Sequence, residues 1–325
     1  MSKAICIHEY GGPEVLRWED VAVGEPGPGQ LRIRHAAVGL NYIDIYHRIG
    51  LYPLPSLPWT LGMEGAGRVE AVGASVTEFQ VGDRVAYASP PVGAYAEVRL
   101  IPADRVVALP ETIDDQTAAA MMLQGMTAQY LLRRTYRVQP GDAILLHAAA
   151  GGVGLIVSQW AQQLGALVIG TVGSDEKAEI ARAHGCHHAI VYSRENFVDR
   201  VREITNGQGV AVVYDSVGKE TFMGSLDCLR PLGMMVSFGN ASGPVPPFEP
   251  GMLAAKGSLF LTRPTLMTYT AKREDLVATA AELFEMVAIG AVKIEVRQTY
   301  PLAETAQAHR DLEARKTTGS TVLMP

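Results

Sequence analysis

The chain is poor in cysteine. Cys6, Cys186 and Cys228 are widely spaced, odd in number and form no C-x-x-C pair. That excludes a disulfide framework and a four-cysteine zinc site. Charge is sparse as well: 19% of residues are charged and the net charge is −6. This balance offers no electrostatic reason to expect nucleic acid or an anionic membrane surface as the main partner. The opening residues Met1 to Cys6 have no apolar core of the kind a signal peptide needs, so cytoplasm is the expected compartment. Hydrolytic signatures are missing too, with no G-x-S-x-G, H-E-x-x-H or G-x-x-x-x-G-K-[ST]. The stretch Asp142 to Gly165 is apolar enough to suggest a membrane span. Gly151, Gly152 and Gly154 with His147, Ser158 and Gln159 inside it argue against that reading.

The same stretch is what the chain is organised around. Ala143 to His147 is an almost wholly apolar run, as in a parallel strand buried on both faces. Ala149-Ala150-Gly151-Gly152-Val153-Gly154 follows at once, and Leu155 to Leu164 reads as a helix ended by Gly165. Strand, glycine turn and helix opening is the dinucleotide-binding order, in which bare N–H groups at a helix N-terminus receive a pyrophosphate. Ala149 replaces the first glycine of G-x-G-x-x-G, so the context carries more weight than the letters.

With 325 residues, 48% of them hydrophobic, the chain is long enough for two domains with substantial cores. Residues 1 to about 120 hold short β-type runs punctuated by Gly11-Gly12-Pro13, Glu25-Pro26-Gly27-Pro28-Gly29 and Val81-Gly82-Asp83, which suggests a partly barrel-like β domain. Asp114 to Tyr136 becomes helical, with Thr112 as its expected N-cap. Beyond the glycine corner, strand and helix alternate through Leu167–Val172, Asp175–His184, His188–Tyr192, Glu195–Thr205, Ala211–Asp215, Thr221–Leu229, Met234–Phe238 and Ser258–Thr262. This alternation predicts an α/β fold with a doubly wound parallel sheet of Rossmann type. A helix over Lys272–Ala288, a β-type run over Ile294–Tyr300 and a helix over Thr305–Arg315 complete the chain. This tail is expected to return to the first domain.

Dinucleotide folds separate NAD from NADP at the end of the second strand, where a carboxylate holds the ribose hydroxyl and repels a 2′-phosphate. Here the strand runs out in Val172-Gly173-Ser174 with no acid at that place. Ser174 can donate to a phosphate and Lys177 can supply its counter-charge, whereas Asp175 complicates the reading. NADP is favoured. The cluster His184-Gly185-Cys186-His187-His188 invites a metal. It falls on the helix-to-strand side, away from the strands' carboxyl ends, and no metal is assigned to it. His147 is expected to hydrogen-bond backbone and receives no catalytic role.

The chain resembles the medium-chain dehydrogenases/reductases, and within them the zinc-free NADPH:quinone oxidoreductases related to zeta-crystallin. The residues carrying the resemblance are Gly11 to Leu16, Val38 to Asp44, Arg48 to Pro53, Gly62 to Gly67, Val81 to Val85, His147 to Gly154, Val213 to Gly218 and Val236 to Asn240. The resemblance implies a GroES-like catalytic domain over residues 1–123 and 264–325, and an NADPH-binding Rossmann domain over 124–263. Zinc-dependent members carry a cysteine near Asn41, a histidine where this chain has Met63, and a four-cysteine lobe that is missing here. Without a Lewis acid an alcohol is hard to activate for hydride loss, whereas a quinone's carbonyls already accommodate the incoming charge.

Carried over residue by residue, the resemblance places Asn41, Tyr46 and Thr127 at the nicotinamide. Gly151, Gly152 and Val153 would hold the pyrophosphate. Ser174, Lys177 and Tyr192 would surround the 2′-phosphate, with Ser216, Phe238, Arg263 and Arg315 also along the cofactor. Tyr46 and Tyr52 are candidates to donate to the quinone oxygen, and Asn41 to orient ring or substrate, in a cleft between the domains. The expected activity is metal-independent reduction of a quinone by NADPH, in a homodimer joined through Ser258–Thr262. One alternative is reduction of an enone or alkenal double bond. Another, of a different class, is a redox-idle NADPH-binding structural or RNA-binding protein.

Overall fold

The computed structural model describes residues 1–325, which divide into two units. The first comprises Met1–Met126, Thr270–Ala288 and Ile294–Pro325, and the second Thr127–Tyr269 with Ile289–Lys293.

The first unit is built on antiparallel strands. Gln30–Leu40 pairs on its two sides with Glu64–Val72 and Ser320–Met324, and also with Val98–Pro102. Val296–Pro301 lies parallel to Ser320–Met324, and Arg84–Ala88 continues the sheet beyond Glu64–Val72. A second, three-stranded sheet has Ser2–Ile7 between Arg17–Val21 and Trp59–Thr60. Alternating apolar residues such as Leu31 and Ile33 of the long strand pack with Ile5, Ile7, Tyr95 and Leu323 into one core. Helix α1 (Tyr42–Arg48) follows the long strand directly, so Asn41 sits at its N-cap. Helix α2 (Asp115–Tyr130) is capped by Asp114, whose Oδ1 accepts the Thr117 N–H at 2.8 Å. Thr112 therefore does not cap it. An aspartate one residue before the helix reaches the first-turn amides directly, a position Thr112 does not occupy.

The second unit holds six strands, β1 (Ala143–Leu146), β2 (Leu167–Val172), β3 (His188–Val191), β4 (Val210–Asp215), β5 (Leu229–Ser237) and β6 (Phe260–Thr262). All pair parallel, in the order β3-β2-β1-β4-β5-β6. Strand order reverses at β1, and crossovers leave in opposite directions from that point. Every residue of β4 is buried, as a strand covered on both faces must be.

Helix α3 (Gly152–Gln163) begins at the second glycine of the corner rather than at Leu155, because the glycines themselves adopt helical backbone. It ends in a left-handed Gly165, φ +82°, with the Gly165 and Ala166 N–H groups returning to the Gln162 and Ala161 carbonyls. Gly154 fixes how closely α3 approaches the turn before it. A Cβ there would collide with the Ala148 carbonyl oxygen and stand 2.8 Å from Ala149 backbone carbon. Those are backbone atoms that cannot swing aside. Replacing Gly154 by alanine is predicted to cost about 2 kcal/mol or more of stability, and by valine more still. Thermal and urea unfolding of the two variants measures it; an unchanged melting point for G154A contradicts the packing argument.

Candidate active site

Along the carboxyl edge of the parallel sheet, the residues singled out from sequence follow one another strand by strand. Tyr192 follows β3, Ser174 and Lys177 follow β2, and Gly151 to Val153 follow β1. Ser216 follows β4, Phe238 follows β5 and Arg263 follows β6. These residues are scattered over about a hundred positions, and the parallel sheet aligns them because each stands just past the same end of its strand.

The corner after β1 is tight. Ala148 is left-handed at φ +55°, the Gly151 N–H returns to the Ala148 carbonyl at 2.9 Å, and Gly151 caps α3 without any side chain. The first-turn amides of a helix have no partner within it. Here no side chain covers them, and the helix dipole favours an anion at this end.

At the neighbouring corner, Ser174 caps α4 (Asp175–Ala183) by accepting the Lys177 N–H on Oγ at 3.3 Å. The Tyr192 N–H bonds the Val172 carbonyl at 3.1 Å, and a Cβ on Gly173 would stand 2.9 Å from the Tyr192 hydroxyl. Ser174, Lys177 and Tyr192 thus share one corner, with Tyr192 45% exposed. Sequence reasoning missed Arg194 here, whose Nη1 donates to Asp175 Oδ2 at 2.6 Å.

Farther along the edge, the Phe238 N–H bonds the Asp215 carbonyl, and Ser216 is so close to Gly239 that a side chain there would strike it. With its amide turned to satisfy both neighbours, Asn240 donates to the Gly239 carbonyl and accepts from Arg263 Nη2 at 3.3 Å. Thr127 and Arg263 both act on Tyr130: Thr127 by a hydrogen bond to its hydroxyl, Arg263 through its charge. Tyr130 stacks on Tyr269 at 4.5 Å, and its burial raises its pKa above the ordinary phenol value. It was not singled out from sequence, since an aromatic in an apolar helix reads as core.

His147 departs from expectation. Its partners are side chains, Thr171 Oγ1 at 2.8 Å and Ser225 Oγ at 2.9 Å, and Ser225 donates onward to Asp215 Oδ2 at 3.0 Å. The three residue types are those of a hydrolytic triad, but the carboxylate holds the serine instead of the histidine and all are buried. The set ties β1, β2, β4 and a helix together. In the other cluster, His187 Nδ1 accepts the Val168 N–H at 3.0 Å and His184 Nδ1 lies 2.7 Å from the Ile180 carbonyl, so both serve the local backbone. No group of three or more His, Cys, Asp or Glu side chains converges in a way that could hold a metal ion.

In the first unit, Tyr46 lies on α1 and Tyr52 just beyond it. The Tyr52 N–H returns to the Tyr46 carbonyl at 3.1 Å and the rings meet edge to face at 5.3 Å. Arg315, by contrast, follows the helix Thr305–Glu313 in a left-handed turn at φ +58° and is exposed.

Asn41 is clamped. Its Nδ2 donates to Glu64 Oε1 at 2.8 Å, and its Oδ1 accepts from Gln124 Nε2 at 3.1 Å. Gln124 Oε1 in turn accepts from the Ser320 hydroxyl at 2.7 Å. Glu64 Oε2 also accepts the Leu123 N–H. Glu64 and Asp44 are both fully buried, and loss of hydration raises their pKa values to about 8 and about 7. The Asn41 N–H and the Tyr95 hydroxyl both donate to Asp44 Oδ2 at 2.9 Å.

Since both carboxyls bind protons more tightly folded than unfolded, the stability they confer is present in acid and is lost as pH rises from about 4 through these values. Glu64→Gln removes one titration and one of two acceptors. It is predicted to unfold more easily at pH 5, by about 1–3 kcal/mol, and to lose less stability than the parent between pH 5 and 9. Urea titrations across that range decide the point; an equal slope in both proteins contradicts it.

Comparison with known proteins adds a further set of observations. Residues 27–111 match the alcohol dehydrogenase GroES-like domain and residues 152–285 the zinc-binding dehydrogenase family. The chain is 56% identical to a quinone oxidoreductase of Pseudomonas aeruginosa over all of both chains. It is 50% identical to a 2-haloacrylate reductase of Burkholderia over all of this chain and 99% of that one. The crystal structure of Escherichia coli quinone oxidoreductase complexed with NADPH superposes with a TM-score of 0.98 at 48% identity, covering 99% of this chain and 100% of that one. Identity of this order across both units and a shared arrangement of strands leave one assignment: the chain belongs to the quinone oxidoreductases of the medium-chain dehydrogenase/reductase family.

Proposed function

We infer that the protein reduces quinones with NADPH and without a metal ion. The observation that carries this reading is the line of residues along the carboxyl edge of the parallel sheet, centred on a side-chain-free helix N-terminus at the switch point. The bare corner at Gly151 to Val153 fits a pyrophosphate, and the corner of Ser174, Lys177 and Tyr192 has no strand-end carboxylate to repel a 2′-phosphate. Ser216, Phe238 and Arg263 would continue along the cofactor, with Arg315 a further basic candidate, and Asn41, Tyr46 and Thr127 would meet its nicotinamide end.

When bound, NADPH would supply the reducing equivalents, as hydride or as electrons. The chain's own work is to hold and orient. Asn41, its amide fixed by Glu64 and Gln124, retains one N–H with which to position ring or substrate. The Tyr46 and Tyr52 hydroxyls are the donors assigned to the quinone oxygen on which charge develops. Protonation of the reduced quinone needs no dedicated acid, since solvent suffices. Metal independence is supported by the donor set: buried Met63 precedes Glu64, and each Glu64 oxygen accepts a hydrogen bond, one from Asn41 and the other from Leu123.

Reduction of an activated carbon–carbon double bond is the second reading, favoured by the 2-haloacrylate reductase whose sequence matches along the whole chain. Three buried, unpaired cysteines suit a reducing compartment, and we place the enzyme in the cytoplasm. No helix is long and apolar enough to cross a membrane. A homodimer is proposed through the edge strand β6, where Phe260 is 56% and nearby Leu232 67% exposed.

NADPH oxidation followed with a simple benzoquinone, with an alkenal and with neither separates the readings. Turnover with the quinone is expected, and none with any acceptor despite tight binding refutes it. Lys177→Ala should raise KM for NADPH about tenfold or more and leave that for NADH little changed; equal effects remove the assigned role. Phe260→Glu should shift the protein from dimer to monomer in light scattering, and a parent that is already monomeric ends the dimer proposal.

A further inference from the structure

Helix α4 opens with two acids, Asp175 and Glu176, beside the corner assigned to the 2′-phosphate. An acid at this place should favour NADH, because a carboxylate facing a phosphate dianion is repulsive. The structure shows how one of the two is answered. The loop after β3 folds back over the corner. Ser193 Oγ reaches the Gly173 carbonyl at 3.4 Å, the Arg194 N–H returns to the Val191 carbonyl, and the Arg194 guanidinium ends 2.6 Å from Asp175 Oδ2. The hydrogen bond from Arg194 holds the Asp175 carboxyl below its usual range, so it stays charged at any working pH. The other charges around the pair are accounted for. Glu195 lies 4.0 Å from Arg194 Nε, but Arg200 Nε stands closer to it, at 3.0 Å. Arg182, on the same helix, adds a weaker attraction to Asp175.

As a surface ion pair, 55% and 68% exposed, Arg194–Asp175 contributes little to folding. Its location is what gives it a use. We propose that Arg194 is a cofactor-specificity residue that works through Asp175: by cancelling that carboxylate it lets the corner of Ser174, Lys177 and Tyr192 accept a 2′-phosphate. The inference rests on the assignment of the 2′-phosphate to that corner, and adds that the corner's selectivity is set by a residue from the next strand's loop.

Calorimetric binding of 2′,5′-ADP and of 5′-AMP tests it with no turnover involved, using the full-length protein, R194A and R194A/D175N. The parent should bind 2′,5′-ADP more tightly than 5′-AMP. A unit charge left facing a dianion across roughly 7 Å of water-like medium weakens binding about two- to sevenfold, the lower figure at physiological salt. R194A should therefore lose that factor for 2′,5′-ADP and nothing for 5′-AMP, whose unchanged affinity also reports an intact fold. R194A/D175N should recover the parent affinity. No loss in R194A overturns the proposal, and so does a loss that D175N fails to restore, which would make Arg194 a direct phosphate ligand. Equal affinity of the parent for the two nucleotides would instead remove the phosphate corner itself, and this proposal with it.

Discussion

A helix can begin directly against the end of a strand only if the residue at the crossing has no side chain. Gly154 meets that requirement, pressed against the carbonyl of Ala148 and the backbone of Ala149. Because α3 lies this close, its first turn starts at the sheet's carboxyl edge, at the point where strand order reverses. The corners that follow the other strands then line up beside it. Packing, electrostatics and the place of the candidate site residues are one arrangement here, because a helix positioned by steric contact brings its dipole with it.

The first unit meets a different demand, which is to hold a polar side chain still in a buried setting. Asn41 has its oxygen and its nitrogen committed to different partners, so the amide cannot turn over without losing both bonds. Those partners are themselves anchored, Glu64 on a central strand and Gln124 by Ser320. The cost is two carboxyls buried in the same neighbourhood, and it is met by letting them keep their protons well past the usual range. In the second unit, His147 with Thr171, Ser225 and Asp215 shows the same principle applied to scaffolding: the buried side chains of this set satisfy one another and tie the strands together.

Legibility in the sequence followed the range of the interaction. Leu167–Val172 reads as a strand from its own apolar run, and it is that strand. Asp175–His184 reads as a helix and α4 covers Asp175–Ala183 of it, whereas Ser174, read only as a phosphate donor, proves also to be its cap. The start of α3 was obscured because glycines signal a turn whether or not they go on to form helix. Ser320–Met324 gave no signal, being a short run behind Thr317-Thr318-Gly319, yet it pairs on both sides. The partners of Asn41 stand 23 and 83 positions away, and Arg194 lies 19 beyond Asp175. No local pattern specifies such pairings; only the fold brings them together.

The strand Ser320–Met324 has a consequence for how the molecule comes into being. It is an interior member of its sheet, with Thr321 opposite Leu40, so two neighbours in space are separated by nearly the whole chain. On the ribosome the Val38–Leu40 end of the long strand must wait, its edge open, while the second unit is made and can close on contacts drawn almost wholly from its own segment. The nascent protein thus passes through a stage with one half finished and the other exposing an unsatisfied strand, and that is the interval in which it is most exposed to misassociation.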